Sequence, residues 1–332
     1  MKRVLGAIAL LLVVAAAVLW FTPSGDYILL PDTAKPVGPL VTVAGKHRVK
    51  KDEGAIYFLA VIVRKASLFE RFFPSIRSGA TLVPASAIRP PGVSEKRQQR
   101  IERREMTQSQ DVAAVVALRA LGYDVPLARG VRVVSVIRGM PAAGKLRKGD
   151  LITAVDGAPV HSTCGLRGLF ARRGPGKLVM VTIRRGERPS TVRVRLASDT
   201  HERGRPVIGV IVQDESVPTR LPVRIKINLG SVVGPSAGLP FALEIMEKLG
   251  RDVDRGYRIA ATGELEPDGC VLPIGGAKQK TIEARRSHVD ILLVPAGDNA
   301  AVARRYADGL RVMPVHSFQQ ALRKLATVRP NH

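Results

Sequence analysis

Ser236 lies in the segment Gly234-Pro235-Ser236-Ala237-Gly238, and Lys280 closes a second segment, Pro273-Ile274-Gly275-Gly276-Ala277-Lys278-Gln279-Lys280. A serine hydroxyl is a weak nucleophile until a base takes its proton. A lysine amine can be that base where apolar surroundings strip its hydration, because burial disfavours the ammonium and lowers its pKa. Such a pair performs covalent hydrolysis without histidine. Each residue alone has a plainer reading: Ser236 as a helix N-cap, and Lys280 as a lysine whose stem lies on apolar surface while its head reaches water. The serine segment also satisfies G-x-S-x-G, the nucleophile elbow of α/β-hydrolases, with Asp290 or Asp298 and then His316 in the required order. That esterase-like alternative leaves the lysine segment without a role, and it lacks the strands and helices that should precede the serine.

The flanking residues show how the two groups would be positioned. Val223 to Ile227 alternates like a half-buried strand, and Leu239, Ala242, Leu243, Met246 and Leu249 follow helical spacing up to Gly250. Ser236 therefore falls at a helix N-terminus, with Gly234 and Ala237 as supporting positions of its turn. Free backbone N–H groups converge there and suit a developing oxyanion. The lysine segment opens a helix through Arg286, on which Lys280 borders the small face of Ala277, Thr281 and Ala284, while Lys278 points away with Arg285. A strand from Asp290 to Val294 stops at Pro295. Upstream, Val41–Val43 and Ala55–Val63 read as strands, Pro31 to Pro39 as a connector, and Asp111–Leu121 as an amphipathic helix after the charged stretch Lys96–Arg104.

Between these parts, about Gly130 to Leu196 has its own pattern: Gly139-Met140-Pro141-Ala142, then Leu146-Arg147-Lys148-Gly149-Asp150-Leu151-Ile152, then Val155-Asp156-Gly157. It resembles PDZ domains, which capture peptides by adding them as a strand to a sheet edge. Gly139 to Lys145 also reads G-x-x-x-x-G-K, but Leu146 stands where a phosphate-binding loop needs a Ser or Thr. The serine and lysine segments, with Thr262-Gly263-Glu264 between them, resemble the proteolytic domain of Lon and of smaller Lon-like proteases. By that resemblance Ser236 is the nucleophile, Lys280 the general base and Thr262 the partner that orients the amine. Val233 departs from the acidic residue usual three positions before the serine, and Pro240 lies in the first turn of the serine helix.

The resemblance implies an α+β protease domain interrupted by a PDZ domain. The expected organisation is a transmembrane anchor at 1–24, protease parts at 40–122 and 201–328, and a PDZ domain at 123–200. It further implies an ATP-independent serine endopeptidase without a cofactor, acting on peptides or unfolded protein segments, and a homo-oligomeric ring. The non-enzymatic alternative is a PDZ-bearing scaffold that has lost activity.

Composition bounds the partners. The net charge is +24, yet aromatics are 4% of residues and no zinc-finger, helix-turn-helix or RNA-recognition pattern occurs, so nucleic acid is not expected. Anionic lipids or wall polymers account for the charge, as does a solvated basic surface. The six histidines form no metal-ligand spacing, so no metal site is expected. Cys164 and Cys270 are far apart and are expected to remain unpaired. Lys2 and Arg3 precede an apolar run from Val4 to Phe21 that ends beside Trp20. About 18 residues of helix reach roughly 27 Å, close to the hydrocarbon thickness of a bilayer. A retained anchor and a cleaved signal peptide both export the body, because the positive charges stay inside. Protease added to intact protoplasts should then degrade the body, and protection until lysis would rule this placement out.

Overall fold

The computed structural model describes residues 2–45, 54–89, 92–200, 204–215, 221–228 and 234–329; Val233, His47, His201 and His332 lie outside them. The chain opens with a single apolar helix, α1 (Lys2–Phe21), whose described side chains are almost all exposed. It is the one helix among the described residues that is long and apolar enough to cross a membrane. Strand β1 (Pro23–Pro31) follows at once, in a stretch whose Pro, Gly and Asp hide its alternation. Then come β2 (Val41–Val43), β3 (Ala55–Phe58) and β4 (Val61–Ser67). The expected single strand over Ala55–Val63 is thus two strands in different sheets: the chain corners at Leu59-Ala60, and a continuous apolar run carries no mark of that corner. Helix α2 (Leu68–Phe72) and β5 (Thr81–Pro84) complete a small antiparallel sheet in the order β4-β1-β5.

Helix α3 (Glu95–Ala120) begins well before the expected start at Asp111. Its first turns are charged and show no apolar period, but Glu, Lys, Arg and Gln are good helix formers. Ser94 caps it by accepting from the Arg97 N–H. Its buried face starts at Met106 and continues through Ala113, Val116 and Ala117 in the main core.

The middle of the chain folds around a separate core containing Val131, Ile152, Val181 and Phe170. Strands β6 (Val131–Val136), β7 (Leu151–Val155), β8 (Leu178–Arg185) and β9 (Arg188–Arg195) surround helix α4 (Thr163–Ala171). A further strand, β10 (Val210–Asp214), pairs antiparallel with β6 and extends the order to β9-β8-β7-β6-β10, so this sheet runs past residue 200. Asp150 of the Gly-Asp-Leu motif is 1% exposed and accepts from the Arg147 N–H and the Arg185 guanidinium, which hold its carboxyl below the usual range. The stretch Pro141–Lys145 is a turn without a following helix, and the Lys145 amine donates to the Arg193 carbonyl at 2.7 Å. No phosphate-binding geometry forms there.

The last third alternates strand and helix: β11 (Ile225–Ile227), α5 (Gly238–Lys248), β12 (Arg258–Ala261), the hairpin β13 (Glu264–Leu265) and β14 (Val271–Leu272), α6 (Ala277–Arg286), β15 (Ile291–Pro295), α7 (Asp298–Tyr306), β16 (Arg311–Val315) and α8 (Phe318–Ala326). Strands β3, β12, β15 and β16 lie side by side in parallel, with Lys35–Pro36 antiparallel on the outer edge of β3. Parallel strands covered on both faces read as continuous apolar runs, as Ile291-Leu292-Leu293-Val294-Pro295 does. Ile291 and Leu293 enter the core beneath α3, α5 and α8, whereas Leu292 and Val294 face α6 and α7. Residues before 131 and after 225 thus share one sheet and one core. Helix α5 is buried from Gly238 to Met246. Each large apolar side chain there contributes about 1.5–3 kcal/mol.

Cys164 and Cys270 form a disulfide, contrary to the expectation of two free thiols. Their 106-residue separation gives no sequence signal; the pairing follows from docking. The start of α4 seats on the β13–β14 turn, where Ser162 Oγ donates to Asp268 and the Cys164 N–H donates to Glu266 at 2.9 Å. This leaves the two Cα atoms 6.3 Å apart, within bridging distance. A bridge closing so long a loop restricts the unfolded chain, and its loss typically costs about 2–5 kcal/mol. Reductant or Cys270→Ser should lower the denaturant midpoint accordingly; an unchanged midpoint would mean that the bridge contributes nothing.

Candidate active site

Ser236 sits in a 3-10 turn, Pro235–Ala237, that runs directly into α5. Gly234 enters the turn at φ 105°, a conformation that favours glycine. Pro235 then fixes the next φ. Pro240 is the third residue of α5, where a missing N–H removes no intrahelical bond. The turn is held from two sides. Ser109 Oγ on α3 donates to the Pro235 carbonyl at 2.9 Å. The Ser236 carbonyl accepts from the Gly263 N–H at 2.9 Å and from Thr262 Oγ1 at 3.3 Å. Ala237 is buried behind the serine.

Lys280 reaches the serine from α6. Gly276 begins that helix at φ 70°, and a Cβ there would lie 2.7 Å from a Val61 methyl. Lys280 is 4% exposed, and its Nζ lies 2.7 Å from Ser236 Oγ and 2.9 Å from Thr262 Oγ1. The Thr262 hydroxyl gives its hydrogen to the Ser236 carbonyl, so it meets the amine as an acceptor. One amine N–H is thereby fixed on Thr262. In the neutral amine the lone pair is left for the serine proton.

Burial pushes the Lys280 pKa down to about 8, against an opposing pull from the Glu283 carboxylate. At pH 7.4 roughly a fifth of such a group is neutral, against roughly a thousandth of an ordinary lysine. Glu283 lies one turn further along α6, fully buried, and burial pushes its carboxyl up to about 8. Its Oε1 accepts from the Ala60 N–H at 3.4 Å, and its Oε2 has no hydrogen-bond partner among the described residues. In both groups burial favours the neutral form, and their opposite charges favour ionisation. Sequence reading missed Glu283, although its spacing of three from Lys280 places it on the same helix face. Lys278 points elsewhere, donating to the Ala80 carbonyl and Thr81 and lying 5.5 Å from the Tyr306 ring centroid.

Of the hydrolase-like candidates, the Asp290 carboxylate accepts from the Arg258 backbone N–H, Asp298 opens α7, and the His316 backbone N–H donates to Gln320, whereas Ser236 Oγ is met by Lys280. Among the described residues, the carboxylates that come within ligand distance of one another are Glu247, Asp252 and Asp254, and they already cap neighbouring backbone N–H groups.

A cavity of about 570 Å³ adjoins the serine turn at Pro235. It lies between α3, the β13–β14 hairpin and the end of β10, and its lining includes Glu105, Asp111, Asp214, Glu264 and Glu266. Burial pushes Glu264 up, helped by Glu105; burial and the neighbouring Asp214 push Glu266 up to about 7. The cleft beside the serine is therefore acidic in a strongly basic chain.

Two family models match the chain: the PDZ domain over residues 102–196, and the Lon protease (S16) C-terminal proteolytic domain over residues 210–328. A mitochondrial Lon protease homolog of Zea mays is 33% identical over 155 residues, covering 45% of this chain and 15% of that protein. Lon protease 1 of Myxococcus xanthus is 35% identical over 94 residues, covering 27% of this chain and 11% of that protein. The chain thus spans under a sixth of the length of either relative. Among solved structures, the PDZ domain of an SdrC-like protein from Listeria monocytogenes is 30% identical, with a TM-score of 0.25, covering 26% of this chain and 90% of that one.

On the expectation that the Lys280 amine takes the Ser236 proton, the rate at which a serine-directed phosphonate labels Ser236 should rise with pH through an apparent pKa of about 8. Higher pH deprotonates the amine and releases its lone pair. Glu283→Gln removes the carboxylate that supports the ammonium, so the rising limb should move to lower pH. A limb near 10, or one unmoved by Glu283→Gln, would contradict this account.

Proposed function

We propose that this chain, in which a PDZ domain is joined to the proteolytic domain of a Lon-type serine peptidase, is a membrane-anchored endopeptidase that cleaves unfolded or flexible protein segments outside the cytoplasmic membrane without ATP. The observation that carries the reading is the Lys280 amine, buried and 2.7 Å from Ser236 Oγ. Ser236 attacks the scissile carbonyl carbon while neutral Lys280 takes its proton. The resulting ammonium then protonates the leaving amine as the C–N bond breaks. Water hydrolyses the acyl-enzyme by the same proton route in reverse. Thr262 orients the amine, and the turn from Gly234 to Ala237 presents backbone amides to the oxyanion.

The protease domain comprises the parts before and after the PDZ domain, which is inserted between them. The PDZ unit, taken from about 123 through β10, selects extended segments by strand addition and presents them beside the acidic cleft at Pro235. The G-x-x-x-x-G-K stretch is consumed by a PDZ turn, which supports hydrolysis without nucleotide. The apolar run of α1 supports anchoring, and the basic body favours anionic lipids or wall polymers as its surroundings.

Ser236→Ala and Lys280→Ala should each reduce hydrolysis of an unstructured peptide by about three orders of magnitude or more, with circular dichroism unchanged. Lys278→Ala and His316→Ala should stay within about threefold of the parent, since neither residue is offered a role in the chemistry. ATP with magnesium should not alter the rate. Full activity in Lys280→Ala would remove the dyad, and strong ATP stimulation would remove the nucleotide-independent reading.

A further inference from the structure

Half of the phenylalanines in this chain, and its single tryptophan, gather in one place. The chain has eight Phe and one Trp; Trp20, Phe21, Phe69, Phe72 and Phe73 all lie where α1 meets α2. The Trp20 ring lies 5.6 Å from Phe69, and Phe69 lies 5.0 Å from Phe73. The Leu68 N–H donates to the Thr22 carbonyl at 2.9 Å, so the start of α2 is hydrogen-bonded to the first residue beyond α1. A short 3-10 turn, Pro74–Ile76, continues the group. Phe21, Phe72, Phe73 and Ile76 are 82%, 65%, 54% and 52% exposed. A soluble surface gains nothing from such a cluster.

Beneath the exposed rings the element is rigid. Ser67 and Glu70 form a capping box at the start of α2. Glu70 is 2% exposed and takes the Arg64 and Arg77 guanidiniums, which hold its carboxyl down to about 2. Arg77 also lies over the Trp20 ring, 5.3 Å from its centroid, and Arg71 pairs with Asp26 at 3.3 Å. Exposed aromatic rings are thus held out by a fixed scaffold and ringed by arginines.

We infer that α2 and the turn after it form an interfacial membrane foot, in which Phe72, Phe73 and Ile76 enter the outer leaflet beside the exit of α1 while Arg71 and Arg77 meet lipid phosphates. The inference rests on the reading of α1 as a membrane anchor. The occupant is the bilayer, and not a protein partner, because the foot is bonded to the end of the apolar helix and so sits at headgroup depth wherever that helix spans. Aromatic rings with flanking arginines are the composition that this depth favours. The foot would fix the tilt and height of the protease body, which a lone helix and a flexible joint would leave free.

The test uses the full-length chain in vesicles of phosphatidylcholine and phosphatidylglycerol carrying lipids brominated near the headgroup, which quench a nearby indole. Native Trp20 reports the anchor. Trp20→Phe/Phe73→Trp, with Trp20→Phe/Phe72→Trp as a second variant, reports the foot, and Trp20→Phe/Leu178→Trp reports an exposed position at the start of β8 in the PDZ sheet. The expected result is strong quenching of the native indole and of those introduced at 72 and 73, with none at 178. If native Trp20 is quenched but neither 72 nor 73 is, the anchor stands and the foot is overturned, with a second copy of the chain the natural occupant. If native Trp20 is not quenched, the anchoring reading fails and the foot fails with it.

Discussion

An amine held almost out of water, between the hydroxyls of Ser236 and Thr262, is the contact on which this structure depends. Burying Lys280 disfavours its ammonium form, and that cost is also what makes it a base near neutral pH. The arrangement works only if three separated chain segments are fixed to within about 0.5 Å. The serine comes from a turn pinned by Ser109 and Gly263. The threonine comes from the end of β12, whose Thr262 N–H is held by the Leu293 carbonyl of the neighbouring strand. The lysine comes from α6, packed on the opposite face of the same sheet from α5. The parallel sheet is therefore the ruler that sets the distance between Ser236 Oγ and the Lys280 amine.

The β13–β14 hairpin connects this site to the rest of the molecule. In the chain it lies between Thr262 and α6, and in space its turn receives the start of α4 through the Ser162–Asp268 and Cys164–Glu266 hydrogen bonds and the disulfide. A module with its own core is thus fixed beside the serine turn and not left on a free linker. Its last strand contributes Asp214 to the acidic cavity. Charge is divided accordingly: carboxylates collect at the cleft, while the arginine-rich surface elsewhere gives the chain its net charge of +24.

At the other end of the molecule, the three-stranded sheet joins α1 to the unit built on the parallel sheet. Strand β1 leaves the apolar helix directly, and Ile282 on α6 and Pro31 at the end of β1 both lie close to Gly79. The same sheet that carries α2 therefore rests against the helix carrying Lys280. Orientation of the body relative to α1 and placement of the Lys280 amine are borne by contiguous elements, with no long flexible joint between them among the described residues.

Much of this was legible in the sequence, for identifiable reasons. Short, chemically demanding segments reveal themselves: Gly-Pro before Ser236 and Gly-Gly before Ala277 are needed for local backbone geometry, and the helical spacing around Lys280 put it on the small face where burial lowers its pKa. The apolar run of α1 and the alternation of Val223 to Ile227 around β11 were equally plain, because their periods follow from local burial alone. Other features depended on which distant surfaces meet. The corner at Leu59-Ala60 is invisible within an apolar run, the charged first turns of α3 have no buried face to give them a period, and β1 is masked by its Pro and Gly. The pairing of Cys164 with Cys270, the orphaned oxygen of Glu283 and the aromatic cluster at α2 arise only when segments far apart in sequence are packed together. The sequence by itself determined the reacting groups and the local turns that present them. The tertiary structure decided their separations, their burial and hence their protonation, because solvent exclusion belongs to the assembled fold and to no single segment.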